Sequence, residues 1–180
     1  AIARFVRERD AHMIVDEIYH GLTYEQDATT ALAAGDDIFV VQSFSKFFQM
    51  TGWRLGWLVV PEPFLRCIEK LSQNLFIAPS TPAQHAALAA FSPGTLAILE
   101  ARRQAFWRRR DFLAPALESL GLRITAPPQG AFYLYADCSA LTDDSHRFAQ
   151  DLLESAGVAA TPGLDFRTHA PLRHIPFPYA

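Results

Sequence analysis

The chain has 180 residues, enough to bury a core as one domain or as two small ones. Half of it is hydrophobic, 12% is aromatic and 19% is charged, which excludes a disordered or low-complexity chain. A net charge of −3 and a pI near 6.1 argue against a nucleic-acid-binding surface as the main business.

In chain order, residues 2 to 10 fit a helix with Ile2, Phe5 and Val6 on one side and charges opposite. That opening, "AIARFVRERDAHMIVDE", reads as the middle of a helix running into a strand, so the chain is expected to be a piece of something longer. "HMIV", ending in Asp16, and "DIFVVQSF", ending near Ser43, are apolar runs that suit buried parallel strands. "RLGWLVVP" is a third strand candidate, stopped by Pro61 and Pro63. Helices are expected over 62 to 74 and 81 to 91. A long helix should follow Ser92 and Pro93 and end at Gly121, with Pro115 kinking or dividing it. Its basic cluster, "RRQAFWRRR" at 102 to 110, reads as the wet face of an amphipathic helix. "LRIT", "AFYLYAD", a helix from 145 to 156 closed by Gly157, "GVAAT" and "RHIPF" then give a strand–strand–helix–strand–strand order. The fold expected is α/β: residues 1–93 as the carboxyl-terminal part of a large domain with a mostly parallel sheet, then a smaller α+β carboxyl-terminal domain over 94–180.

No apolar run approaches the roughly 18 residues of a membrane span, and no signal peptide is visible. Cys67 and Cys138, far apart and without metal-ligand spacing, read as reduced core thiols of a cytoplasmic protein. The six histidines lack HxH or HxxxH grouping, so no metal site is expected.

Chemistry concentrates at the strand ends. Asp16 and Tyr19 follow the first strand, Ser43, Ser45 and Lys46 follow the second, and Arg54 opens the third. Ligands of open α/β sheets bind outside the carboxyl ends of the strands, so one site could collect all six. Arg54 with serine hydroxyls suits a phosphate. A lysine amine, with an unperturbed pKa of about 10.4, needs desolvation or a neighbouring cation to attack an aldehyde at neutral pH. A carboxylate such as Asp16 would balance a protonated ring nitrogen. Pyridoxal 5'-phosphate carries the aldehyde, the phosphate and the ring nitrogen together. Read on their own, Asp16 would be a helix cap, Arg54 a strand-edge charge and Ser45 a turn residue. Trp53 and Trp57 read as core, and Tyr133 as packing in a strand of alternating aromatics.

"DEIYHGLTYEQ", "SFSKFFQMTGWRLGWLVVP", "PSTPAQHAALAAF" and "PQGAFYLYADCS" resemble consecutive blocks of the class I/II aminotransferases, fold-type I pyridoxal-phosphate enzymes. The resemblance implies that Lys46 is the Schiff-base lysine and that it later moves a proton between substrate and cofactor. It implies that Asp16 pairs with the pyridinium nitrogen and that Tyr19 hydrogen-bonds the ring oxygen. Ser43 and Arg54 would then hold the phosphate, with Ser45 as a weaker phosphate candidate. Amino-acid and 2-oxo-acid substrates and a homodimer of the full-length protein are implied, with no nucleic-acid or membrane partner. The family's amino-terminal half is not present in these residues, and the fragment alone is expected to hold cofactor weakly. The tail "LDFRTHAPLRHIPFPYA" resembles a family segment whose arginine binds the substrate carboxylate. In that register Pro176 takes the arginine's place and Pro178 a serine's, with Arg173 earlier in the same strand. Alternatives within these residues are a lyase or decarboxylase using the same lysine, and a non-catalytic effector domain of a transcription regulator.

Overall fold

A computed structural model describes residues 1–165 and 170–180. The chain divides into two compact units, Ala1–Ala101 and Arg102–Ala180. The division falls eight residues beyond the boundary expected at 93/94, inside a helix rather than at its start.

In the first unit a short helix α1 (Ile2–Arg7) precedes β1 (Met13–Asp16), β2 (Ile38–Ser43) and β3 (Gly56–Val59), which form one sheet in that order. β1 and β2 run parallel, with Asp16 opposite Val41. β3 runs antiparallel to β2, with Ser43 opposite Gly56, so these three strands form a mixed sheet. The reason lies in the connection. A parallel return needs a crossover, usually a helix, whereas residues 44 to 55 fold back on themselves as turns. The Met50 N–H donates to the Phe44 carbonyl (3.0 Å), and the Phe44 N–H donates to the Leu55 carbonyl (3.1 Å).

Ile38 and Val40 bury one side of β2, while Ile14 of β1 is 70% exposed. α2 (Leu65–Leu75) has half-buried and exposed residues throughout. α3 (Thr81–Ala90) buries Ala83, Ala87 and Ala90, one stripe at helical spacing. Ala87 and Ala90 pack against Phe44 and Met50, with Phe48 and Leu55 around them. The Phe44, Phe48 and Phe91 rings lie 4.9–5.7 Å apart by centroid, so β2's exit loop is anchored to α3 by aromatic packing. Burying Phe44 is worth about 1.5–3 kcal/mol.

Helix α4 (Pro93–Ser119) runs without a break through Pro115, which therefore does not divide it. In the second unit β4 (Arg123–Ile124), β5 (Tyr133–Asp137) and β6 (His174–Pro178) form an antiparallel sheet. α5 (Ser145–Ala156) is capped by Asp144, whose Oδ1 accepts the His146 and Arg147 amides, and closes at Gly157 with φ +66. "GVAAT" forms no strand. β6 tolerates two prolines because they are two residues apart on the sheet's edge. Tyr179 donates its N–H to the Phe132 carbonyl (2.9 Å), and alternation then turns the nitrogens of Pro176 and Pro178 away from β5. Leu134, Ala136 and Ile175 are fully buried there.

Several expected environments are corrected. Cys138 is buried but Cys67, on α2, is exposed. Trp53 and Trp57 are exposed rather than core. Arg110 leaves the wet face of α4. It is buried, donates Nη1–H to the Pro128 carbonyl (2.7 Å) and pairs with Asp111. A guanidinium can be buried when its fork is satisfied, and helical periodicity carries no sign of that partner.

Candidate active site

Asp16 ends β1 with an exposed side chain whose Oδ1 accepts the Ile18 N–H (3.0 Å). It therefore caps a turn rather than a helix. Two turns follow, closed by His20 N–H to Glu17 carbonyl and Leu22 N–H to Tyr19 carbonyl, each 2.9 Å. They carry Tyr19, half-buried, back over the sheet's end.

Ser43 ends β2, and its Oγ accepts the Ser45 N–H (3.0 Å) and lies 2.9 Å from Ser45 Oγ. The two hydroxyls thus sit together. Lys46 follows in the turn closed by Gln49 N–H to Lys46 carbonyl (3.0 Å). Thr51 Oγ1 donates to the Ser45 carbonyl (2.6 Å) and secures that turn from its far side. Lys46 is half-buried, with Nζ 5.9 Å from the centre of the Tyr19 ring.

Arg54 reaches the same end of the sheet because β3 is antiparallel. The register pairs Ser43 with Gly56 and ties Phe44 to Leu55, which leaves Arg54 next in line beside Ser45. Its backbone is left-handed (φ 53, ψ 50), a conformation that costs a non-glycine residue of order 1 kcal/mol and clusters at functional sites. Gly56 is required next to it: a Cβ there would lie 2.6 Å from the Gln42 carbonyl oxygen. The exposed Arg54 guanidinium donates Nη1–H to the Thr51 carbonyl (2.9 Å), one of its five N–H groups.

The donor set fits a phosphorylated aldehyde with a protonatable ring. Lys46 Nζ lies 5.9 Å from the centre of the Tyr19 ring, the Ser43 and Ser45 hydroxyls lie together just before Lys46, and Asp16 and Arg54 stand at the same end of the sheet. All six predicted residues fall in the first unit, at one end of its sheet.

The sequence reading missed Glu17 and Gly21. Glu17 is 4% exposed, and its carboxylate takes the Ala31 N–H (2.6 Å), the Thr30 hydroxyl (3.1 Å) and the His20 ring (3.2 Å). Strand alternation, which turns its side chain to the face opposite Asp16, was the available signal. Gly21 (φ +87) lies against the Phe47 ring, with no local sequence mark beyond the residue type.

In the tail, Arg173 lies outside β6, in a 3-10 turn ahead of the strand, and is exposed. Residues 166–169 of the tail lie outside the described residues. Among the described residues no helix is long and apolar enough to cross a membrane.

A sequence model of the family "Aminotransferase class I and II" matches residues 1–174, which takes in Arg173 and leaves out Pro176 and Pro178. The chain is 42% identical over 170 residues to valine–pyruvate aminotransferase of Mycobacterium tuberculosis, covering 93% of this chain and 44% of that protein. It is 38% identical to aspartate/prephenate aminotransferase of Thermus thermophilus, covering 100% of this chain and 46% of that one. Among solved structures, an aminotransferase from Mycobacterium tuberculosis superposes with a TM-score of 0.95 at 38% identity, over 99% of this chain and 46% of that one. The chain therefore spans about half the length of the curated relatives it matches.

Proposed function

The chain belongs to the class I and II aminotransferases, and from that premise we propose that the whole protein is a pyridoxal-phosphate-dependent transaminase. It moves an amino group between an amino acid and a 2-oxo acid. The family is generally pyridoxal-phosphate-dependent, and the fit of the donor set above supports the same cofactor here. The observation that supports the reading is the antiparallel return of β3, which puts Arg54 at the same sheet end as Ser43, Ser45 and Lys46.

Bound pyridoxal phosphate supplies an electron sink for the charge left when the substrate Cα loses its proton. The protein's residues do the rest. Lys46 Nζ would hold the cofactor through its aldehyde carbon and, as a free amine, would move the proton to and from the substrate Cα. The Asp16 carboxylate would keep the ring nitrogen protonated by pairing with its N–H. Tyr19 would donate a hydrogen bond from its hydroxyl to the ring oxygen. Arg54, Ser43 and Ser45 would hold the phosphate by charge and hydrogen bonds. In this reading the first unit is the end of the cofactor domain and the second is the small carboxyl-terminal domain. A homodimer of the full-length protein belongs to the same proposal.

The test is chemical. Full-length protein loaded with pyridoxal phosphate should be yellow, and borohydride should fix the chromophore to the peptide that contains Lys46. Lys46→Ala should lose the fixed adduct; its retention in that variant would sink the assignment.

A further inference from the structure

We propose that Glu17 is a positioning residue of the cofactor site: its buried carboxylate fixes the turn that carries Tyr19, and so sets the Tyr19 ring against Lys46. The inference rests on the cofactor reading above.

Glu17 directly follows Asp16, and the alternation at the end of β1 sends the two carboxylates to opposite sides. Asp16 is exposed at the site; Glu17 is 4% exposed behind it. Its two oxygens have separate tasks. Oε1 accepts the Thr30 hydroxyl and the Ala31 amide, closing the loop from 17 to 31. Oε2 lies 3.2 Å from His20 Nδ1, within the turn that holds Tyr19. The backbone repeats the arrangement, with His20 N–H on the Glu17 carbonyl and Leu22 N–H on the Tyr19 carbonyl. Tyr19 thus lies in both turns, the first of which begins at Glu17.

Stability alone is a poor reason for this carboxylate. A buried polar group is costly unless every hydrogen bond is made, and such groups can specify one conformation among several. Here the conformation specified is the one that keeps the Tyr19 ring centre 5.9 Å from Lys46 Nζ. Side chains that orient the groups touching a cofactor are commonly worth about 10–100-fold in affinity or activity, as measured behind metal ligands.

The test uses full-length protein and compares wild type, Glu17→Gln and Glu17→Ala. Three readouts are pyridoxal phosphate affinity by absorbance titration, the visible band of the bound cofactor, and amide exchange over residues 17–31 without cofactor. Glu17→Gln keeps an acceptor for Thr30 and Ala31, so it should bind within about threefold of wild type. Glu17→Ala should bind at least about tenfold more weakly. It should also move the visible band, because Tyr19 leaves the ring oxygen, and speed amide exchange across the loop. Folded Glu17→Ala with unchanged affinity and an unchanged band overturns the proposal while leaving the cofactor reading intact. If neither variant folds, Glu17 is a determinant of folding and the proposal is wrong. If wild type takes up no cofactor, both readings fall together.

Discussion

Gly21 offers a sharp test of how the Tyr19 turn and the Lys46 turn are held together. In Gly21→Ala the new Cβ would stand 2.8 Å from Phe47 Cγ and 2.9 Å from Cδ2. Carbon pairs prefer about 3.5–4.0 Å, so the ring must retreat by roughly 0.6 Å or more. Cγ and Cδ2 are the near side of that ring, so a distal rotation does not clear them. Overpacking of this kind costs about 1–3 kcal/mol. The backbone adds a second term: φ is +87 at residue 21, where an L side chain loses about 1–2 kcal/mol. Together they amount to about 2–5 kcal/mol. Urea unfolding of the full-length protein measures the sum, and the double variant Gly21→Ala/Phe47→Ala separates the parts. Removing the ring should return the steric part, so the double variant is less destabilised than the two single changes added. Because Phe47 adjoins Lys46, the single variant should also lose kcat, by at least about tenfold if the amine shifts by a good fraction of an ångström. Gly21→Ala within about 0.5 kcal/mol of wild type, or strict additivity in the double variant, would refute the packing argument.

Arg54→Ala should weaken pyridoxal phosphate by about 10–100-fold, the worth of a charge-assisted hydrogen bond, yet leave pyridoxal without its phosphate unaffected. Equal losses for both ligands would remove Arg54 from the phosphate. In the second unit, hydrogen bonds from Ser139, then the Arg123 guanidinium, hold the Asp137 carboxyl well below its usual range. A folded-state pKa depressed in this way contributes stability that is complete above the unfolded value of about 3.9 and is lost as pH falls below it. Asp137→Asn should therefore flatten the acid limb of a stability–pH curve below about pH 4. An unchanged limb would show that other carboxylates set it.

Much of the site was legible from residue types and local spacing. Asp16, Ser43 and Lys46 stand where apolar runs end, and such runs declare strands wherever they sit in a fold. α5 was legible for the same reason. Its bounds and its closing Gly157 follow from residues near in sequence. The chemistry of the donor set needed only an inventory of amine, phenol, hydroxyls, guanidinium and carboxylate. The local pattern therefore offered the candidate groups for a phosphorylated aldehyde.

Direction and burial were decided elsewhere. Whether β3 returned parallel or antiparallel depended on how residues 44 to 55 folded against Phe44 and α3, a contact some 40 residues distant in sequence. That choice placed Arg54. Glu17 and Arg110 look like surface charges in their own segments, and only the amides, hydroxyls and carbonyls brought to them by other segments make them inner ones. Cys67, Trp53 and Trp57 err the other way: their apolar character is local, but burial needs a surface arriving from another part of the fold. Sequence by itself determined the candidate groups and most of the elements that bear them, because both follow from near neighbours. The tertiary structure alone decided which charges are buried and which strand end faces which, because those are set by partners that spacing along the chain does not name.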